Sequence, residues 1–405
     1  MKSVKTHRIP PRTMATMAAA FAIVFAMALL LASVLTAQLK PALTIEEDCQ
    51  AFAIAPDNKI AYAVRRIHGV KKLIVERDDI WVSTSDGKKK RILEGERWMP
   101  KTEKASYSIQ SLTWSPDSHR IAVNLAMSTI SKDLVATSAG ANVILLLDED
   151  GREINIAGNG PKPTPPPATP APSAAQAKAG FSSSDDAPST EEKPGPAPRA
   201  SIIQDSSNAA WLADGGSVVY LSAVQPFQIS RMRPSDGKKT VLFEGHAYQA
   251  VAWDTPRNQA FAIGQGVRGA LALIQLDLVH ETLRELAKLS SYESSLVVSS
   301  SGKKVGYFID GDTMEVRDVE HPEKPINVRT GNGRFEFNKD GTRVLLKRGP
   351  ERRSNNLIWI TLADGNFRPF MHDLLFHNFE ITPDGNSVAV TEPGKEKLLI
   401  YRLEN

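Results

Sequence analysis

Leu112-Thr113-Trp114-Ser115-Pro116-Asp117-Ser118-His119-Arg120-Ile121-Ala122-Val123 reads as strand, tight turn, strand. Trp114 ends one β run, and Ile121 and Val123 open the next. Pro116 presets φ for the turn, and the Asp117 side chain can bond the backbone two residues on. The unit returns along the chain. Its echoes are Ile54-Ala55-Pro56-Asp57-Asn58, Trp211-Leu212-Ala213-Asp214-Gly215, Trp253-Asp254-Thr255-Pro256-Arg257, Val298-Ser299-Ser300-Ser301-Gly302, Phe337-Asn338-Lys339-Asp340-Gly341 and Ile381-Thr382-Pro383-Asp384-Gly385, seven units in all. Second turns follow most of them, at Ser85-Asp86-Gly87, Glu149-Asp150-Gly151, Ser235-Asp236-Gly237 and Ala363-Asp364-Gly365. Asp-Gly between alternating apolar runs is a strong hairpin signal.

Four short antiparallel strands per unit, at a period of roughly forty residues, describe a propeller blade. The expected fold is therefore all-β: a seven-bladed β-propeller of four-stranded antiparallel blades over residues 43–405. The last repeat runs through Leu398-Leu399-Ile400-Tyr401 and stops short of an outer strand, which Leu43-Thr44-Ile45 can supply. Such closure removes exposed sheet edges. Trp114, Trp211 and Trp253 are expected to fill the seams between blades.

The Trp114-Ser115-Pro116-Asp117-Ser118 unit, followed by Ile121-Ala122-Val123, resembles the WSPDG-type repeat of TolB-like β-propellers. Ile80-Trp81-Val82 before Asp86-Gly87, and Arg91-Ile92-Leu93 after it, fit that family's third and fourth strands. Gly245-His246, ahead of Trp253-Asp254, resembles the GH dipeptide that opens a WD-repeat blade, where the His bonds adjacent strands. The resemblance implies a fold and leaves the activity open, because such blades serve scaffolds, ligand binders and peptidase gates. The Tol-system protein itself carries a separate α/β domain before its propeller. Here only Gln38 to Gln50 lies between the apolar N-terminus and the first repeat.

Lys2, Lys5, Arg8 and Arg12 precede an uncharged run from Met14 to Ala37. Residues 1–13 read as a basic cytoplasmic segment and 14–37 as a membrane anchor or signal helix. The length favours an anchor, since a signal core needs only about 7–15 apolar residues. Cleavage after Ala37 would also leave bulky Leu35 at a position that favours small residues. The remainder is then expected outside the cytoplasm, in the periplasm, or secreted if the helix is cleaved.

The chain carries 49 Lys and Arg against 46 Asp and Glu. Without the four N-terminal cations the balance is 45 against 46, which argues against broad electrostatic binding to nucleic acid. Cys49 is the only cysteine, so no intrachain disulfide can form, and a small buried residue is the expected role. Residues 161–200 hold 11 of the 26 prolines and read as a disordered insertion at the junction of the second and third blades.

Motifs of catalysis are sparse. Gly264-Gln265-Gly266-Val267-Arg268-Gly269 matches a dinucleotide fingerprint, but Ala270-Leu271-Ala272-Leu273-Ile274 follows as a strand where that fingerprint needs a helix. No G-x-S-x-G elbow and no H-E-x-x-H occur. No cofactor, metal site or catalytic residue is expected.

Stepping back four residues from each inner-strand landmark gives Gln50, Gln110, Ser207, Gln249, Ser294, Gly333 and His377. Inner strands thus start polar and turn apolar. These positions are expected to ring the channel mouth beside Tyr107, Tyr248, Tyr292 and Arg334. The candidate partner-binding rim is Gln50, Gln110, Tyr107, Tyr248, Gln249, Tyr292, Arg334 and His377, whose amides, hydroxyls and aromatic surfaces suit a peptide or polar ligand. No carboxylate pair is expected in this ring. The reading is a non-catalytic, monomeric envelope propeller that binds an envelope protein or peptide through the channel mouth. The alternatives are a lactonase-like or metal-dependent hydrolase, favoured if His377, Glu380, Asp312 and Glu293 converge, and a small-ligand or glycan binder.

Overall fold

The computed structural model describes residues 40–70, 73–98, 105–130, 136–158, 200–222, 227–331, 333–348, 355–374, 376, 378–392 and 397–403. The chain divides after Ala42, and the unit from Leu43 onward is the propeller. The apolar stretch 14–37 lies outside the described residues, as does most of the Pro-rich stretch. No described helix is long and apolar enough to cross a membrane.

Strand β1 (Leu43–Ile45) belongs to the last blade. Blade 1 comprises β2 (Cys49–Ile54), β3 (Ile60–Val64), β6 (Asp79–Ser83) and β7 (Lys89–Leu93), with a hairpin, β4 (Ile67–Val70) and β5 (Leu73–Glu76), inserted between its second and third strands. Blade 2 comprises β8 (Ala105–Trp114), β9 (Arg120–Ile130), β10 (Ala136–Asp148) and β11 (Ile202–Ile203). Blade 3 is β12 (Ser206–Trp211), β13 (Val218–Ser222), β14 (Ile229–Arg233) and β15 (Lys238–Phe243). Blade 4 is β16 (Ala250–Asp254), β17 (Gln259–Gln265), β18 (Leu271–Asp277) and β19 (Thr282–Lys288). Blade 5 is β20 (Ser294–Val298), β21 (Lys304–Phe308), β22 (Thr313–Asp318) and β23 (Ile326–Arg329). Blade 6 is β24 (Gly333–Phe337), β25 (Arg343–Arg348), β26 (Asn355–Thr361) and β27 (Phe367–Leu374). Blade 7 is β28 (Phe379–Ile381), β29 (Ser387–Glu392), β30 (Lys397–Arg402) and β1. All seven sheets are four-stranded and antiparallel.

The ring is closed by its two ends. Leu43, Thr44 and Ile45 pair with Ile400, Leu399 and Leu398. Ala389, Leu398 and Ile400 of blade 7 share one apolar cluster with Phe52, Ile54 and Tyr62 of blade 1. One position differs from the expectation. Strand β11 follows the Pro-rich stretch and pairs with β10, so the insertion falls inside blade 2, between its third and fourth strands. The strand is only two residues long, too short to stand out from sequence.

The turns form as their chemistry dictates. The Ser115 hydroxyl bonds the Asp117 carboxylate and accepts the Arg120 amide at 2.9 Å, while Asp117 accepts the His119 amide at 3.1 Å. The blade 7 turn repeats this with Thr382 and Asp384, where Gly385 supplies a φ of 75°. Trp114 and Trp211 are 7 % and 1 % exposed and lie at blade seams. Lys59 of blade 1 stacks over Trp114 of blade 2 at 5.7 Å, and Arg120 of blade 2 over Trp211 of blade 3 at 5.5 Å. Burying each such aromatic contributes about 1.5–3 kcal/mol. Gly264–Gly269 joins β17 to β18 as a strand connection, closed by Gly266 donating to the Ala270 carbonyl at 2.8 Å.

Candidate functional site

The inner strands β2, β8, β12, β16, β20, β24 and β28 line the central channel; most of the rim residues lie near the first residues of these strands, while Tyr107 and Gln110 lie within the longer β8. Gln110 and Gln249 are exposed. Gln110 donates to the Ser108 hydroxyl at 2.8 Å. Gln50 is half-buried and donates to the Asp48 carboxylate. Tyr292 is half-buried, packed with Phe261, Ile263 and Tyr307. Arg334 is exposed. His377 lies outside the described residues.

Two rim assignments are corrected by the structure. Tyr107 is 1 % exposed, donates to the Asp78 carbonyl at 2.8 Å and meets Trp98 edge-on at 4.9 Å. Tyr248 is 7 % exposed, within the apolar cluster of blades 3 and 4. For Tyr107 the cause is a register slip between Ile109 and Ser111. Counting back by twos from Trp114 is valid only on an unbroken pleat, and one extra residue moves every earlier side chain to the other face. Tyr107 and Ile109 therefore turn into the core together. Similar slips lie between Cys49 and Ala51, Ser207 and Ala210, and Ser294 and Val297.

Deeper in the channel, a cavity of about 440 Å³ is walled by β20, β24 and β28 and the turns after them. Its polar groups are Ser300, Arg334, Glu336, Lys339, Glu380 and Thr382. A carboxylate pair, which the entry positions do not contain, lies here instead. Glu336 and Glu380 occupy the same register position in adjacent blades, the residue just before the landmark. The other five blades carry Ala53, Thr113, Ala210, Ala252 and Val297 there. Stepping back one residue from each landmark, instead of four, would have found them.

Glu336 is held from two sides. Its Oε2 accepts the Ile381 amide of blade 7 at 2.7 Å, and its Oε1 faces Arg334 Nη2 at 3.2 Å. Arg334 also donates to Asn378 Oδ1 and lies 5.7 Å above the Phe379 ring. Burial raises the pKa of Glu336, opposed by Arg334 and the Ile381 amide. Glu380 is pushed up to about 8, first by burial and then by the charge of Glu336, against Arg334 and a backbone hydrogen bond from Ile54 of blade 1. Two carboxyls so close share their protons as a unit. Both carboxyls are thus held above the ordinary carboxylate range, beside the Arg334 guanidinium.

The other sequence-derived acids stay out. Glu293 and Asp312 do not line the cavity. Among the described residues, no three His, Cys, Asp or Glu side chains stand where they could hold a metal ion. The Cys49 thiol is half-buried, donates to the Ala51 carbonyl at 3.5 Å, and is raised well above its ordinary pKa by burial and then Asp48. His246 Nδ1 donates to the Gln265 carbonyl at 2.8 Å, tying the connection before β16 to the end of β17.

Against known proteins, no family model matches the chain, and no curated protein matches it in sequence. The architecture is widely shared. One similar solved structure is the β-propeller domain of Cps50 (Swd1) from Myceliophteria thermophila, with a TM-score of 0.52 and 10% identity, covering 90% of this chain and 100% of that domain. At that identity the likeness establishes the seven-bladed, WD40-like propeller fold and nothing about activity.

Proposed function

We propose that this propeller is a binding platform that receives a segment of a partner protein at its channel mouth. The observation that carries the reading is the cavity walled by Arg334, Glu336 and Glu380 on the inner strands of blades 6 and 7. A chain segment entering there meets hydrogen-bond donors and acceptors at fixed positions, on strands rather than on loops. A basic side chain or free backbone amides are the best match, because Glu336 and Glu380 present acceptors beside Arg334 and Lys339. WD40-like propellers commonly serve as protein-interaction scaffolds, which supports the reading by analogy of fold. The WSPD-type turns support a TolB-like affiliation, and residues 2–37 support an envelope location with the propeller outside the cytoplasm.

Crosslinking in the native envelope, followed by affinity capture, tests this. A variant carrying Gln110→Ala, Gln249→Ala and Arg334→Ala should lose a partner that wild type retains. A control altered on the outer strand of blade 1, such as Lys90→Ala, should retain it. An identical set of partners in all three chains overturns the reading.

A second reading rests on one specific observation. Two carboxyls line one cavity, and a carboxyl pair is the arrangement that acid–base hydrolysis employs. Turnover of a lactone or ester panel, abolished in both Glu336→Gln and Glu380→Gln, would favour it over the platform.

A further inference from the structure

Charge on the inner strands is confined to one arc of the channel. Strands β2, β8, β12 and β20 carry none, and the acid on β16, Asp254, is paired with Arg257 at 2.8 Å. Blades 6 and 7 bring Arg334, Glu336 and Glu380. The cavity they share with blades 4 and 5 is therefore two-sided, with Ala252, Leu296, Val297 and Val298 supplying an apolar wall. Most of its charge is already committed. Arg334 gives Nη2 to Glu336 at 3.2 Å and Nη1 to Asn378. Glu336 takes Arg334 on Oε1 and the Ile381 amide on Oε2. Lys339 runs along Gly385 and also lines a second cavity with Asp340 and Asp384 of the turns. Glu380 is the exception. Half-buried, it stands in no salt bridge among the described residues.

We propose, on the reading that a partner segment enters this cavity, that Glu380 is its recognition group and takes an ammonium on an aliphatic stem, the chemistry of a lysine side chain. A carboxylate beside an apolar wall is costly alone, and a cation that brings its own apolar cover relieves it. Arg334 is shared between Glu336 and Asn378, and Lys339 stands with the turn acids, so that cation is left for the ligand to supply. A lysine side chain offers a long methylene stem to Ala252, Leu296, Val297 and Val298 and a compact charge to Glu380. The cavity, about 440 Å³, accommodates one such side chain with its backbone. Burial and then the charge of Glu336 raise the empty Glu380 carboxyl to about 8, so an arriving ammonium takes the place of its proton.

Methyl NMR on the full chain tests it, following Leu296, Val297 and Val298 at about pH 8. The probes are Nα-acetyl-lysine methylamide, its norleucine counterpart, which keeps the stem and lacks the ammonium, and methylammonium, which keeps the charge and lacks the stem. Wild type should bind the lysine probe at least about tenfold tighter than either of the others, and Glu380→Gln should remove that advantage. No binding of the lysine probe, equal affinity for it and either of the others, or an undiminished advantage in Glu380→Gln overturns the proposal. Should Glu380→Gln fail to fold, the ratios on wild type decide. The platform stands or falls separately. A lysine probe that binds as expected while every envelope partner persists in the channel variants removes the platform and leaves Glu380 its ligand. Partners lost in those variants without any preference for the lysine probe keep the platform and remove the role of Glu380.

Discussion

The seam between blades 3 and 4 and the seam between blades 6 and 7 perform one task with different chemistry. In the first, an indole and an amide meet backbone carbonyls, and nothing there titrates between acid and mildly alkaline pH. In the second, the Glu336 carboxyl meets the Ile381 amide inside a cavity that Glu380 also lines, so the joint contains groups that titrate. Neutral seams gain strength from buried area and constant hydrogen bonds. Acidic seams are conditional, since a buried carboxyl is comfortable only with its proton or with a cation. The difference teaches that blades alike in backbone need not be alike in response.

The comparison breaks most visibly at an aromatic seam. Trp114→Ala should cost about 3–5 kcal/mol in urea denaturation, by the same amount at pH 6 and pH 8.5. A pH-dependent loss there would undo the contrast. Closing the ring comes next. Ile45 is fully buried, and Ile45→Ala should cost about 2–4 kcal/mol and lower the Tm by several degrees. No effect would mean that the β1–β30 pairing is dispensable.

The acidic seam is sharpened by titration. Glu380 has a folded pKa raised above the ordinary carboxylate range, so its contribution is fully present below about 4.5 and is lost as pH rises through about 8. Stability should therefore decline across that window by on the order of 2 kcal/mol, and Glu380→Gln should abolish most of the decline. Asp78 offers an internal reference at blades 1 and 2, away from the channel. It accepts the Ile109 amide at 2.9 Å, and burial raises it to about 6 against that bond. Its loss is complete by about pH 6, so Asp78→Asn should remove only the lower part of the decline. If both variants act over one window, the two sites are not separate. Smallest of all, Lys90 and Asp150 form an exposed pair at 2.5 Å, and Lys90→Ala should change stability by less than about 0.5 kcal/mol.

Much of this molecule can be read from its chain. The Trp-Ser-Pro-Asp and Asp-Gly signals are local, because Pro limits φ, Asp bonds its own backbone and Gly accepts positive φ. Repeated seven times, they determined the blades, the hairpins and the closing role of Leu43–Ile45 without reference to anything distant. The rim was legible in part: Gln110, Gln249 and Arg334 are exposed as expected, whereas Tyr107 and Tyr248 are buried. For Tyr107 alternation alone could not give the face, since a bulge adds one residue and reverses it, and no single residue type announces it; Tyr248 lies before β16, where alternation does not reach.

The channel acids show the remaining limit. Glu336 and Glu380 stand 44 positions apart, each beside an apolar neighbour on both sides, and only their shared register before the landmark relates them. Only the packing of blade 6 against blade 7 sets their carboxyls in one cavity, removes water from them and couples their charges. Turns and strands were determined by the sequence itself, because their physics is settled within a few bonds. The site was decided by the tertiary structure, because charge coupling and desolvation depend on which distant strands become neighbours.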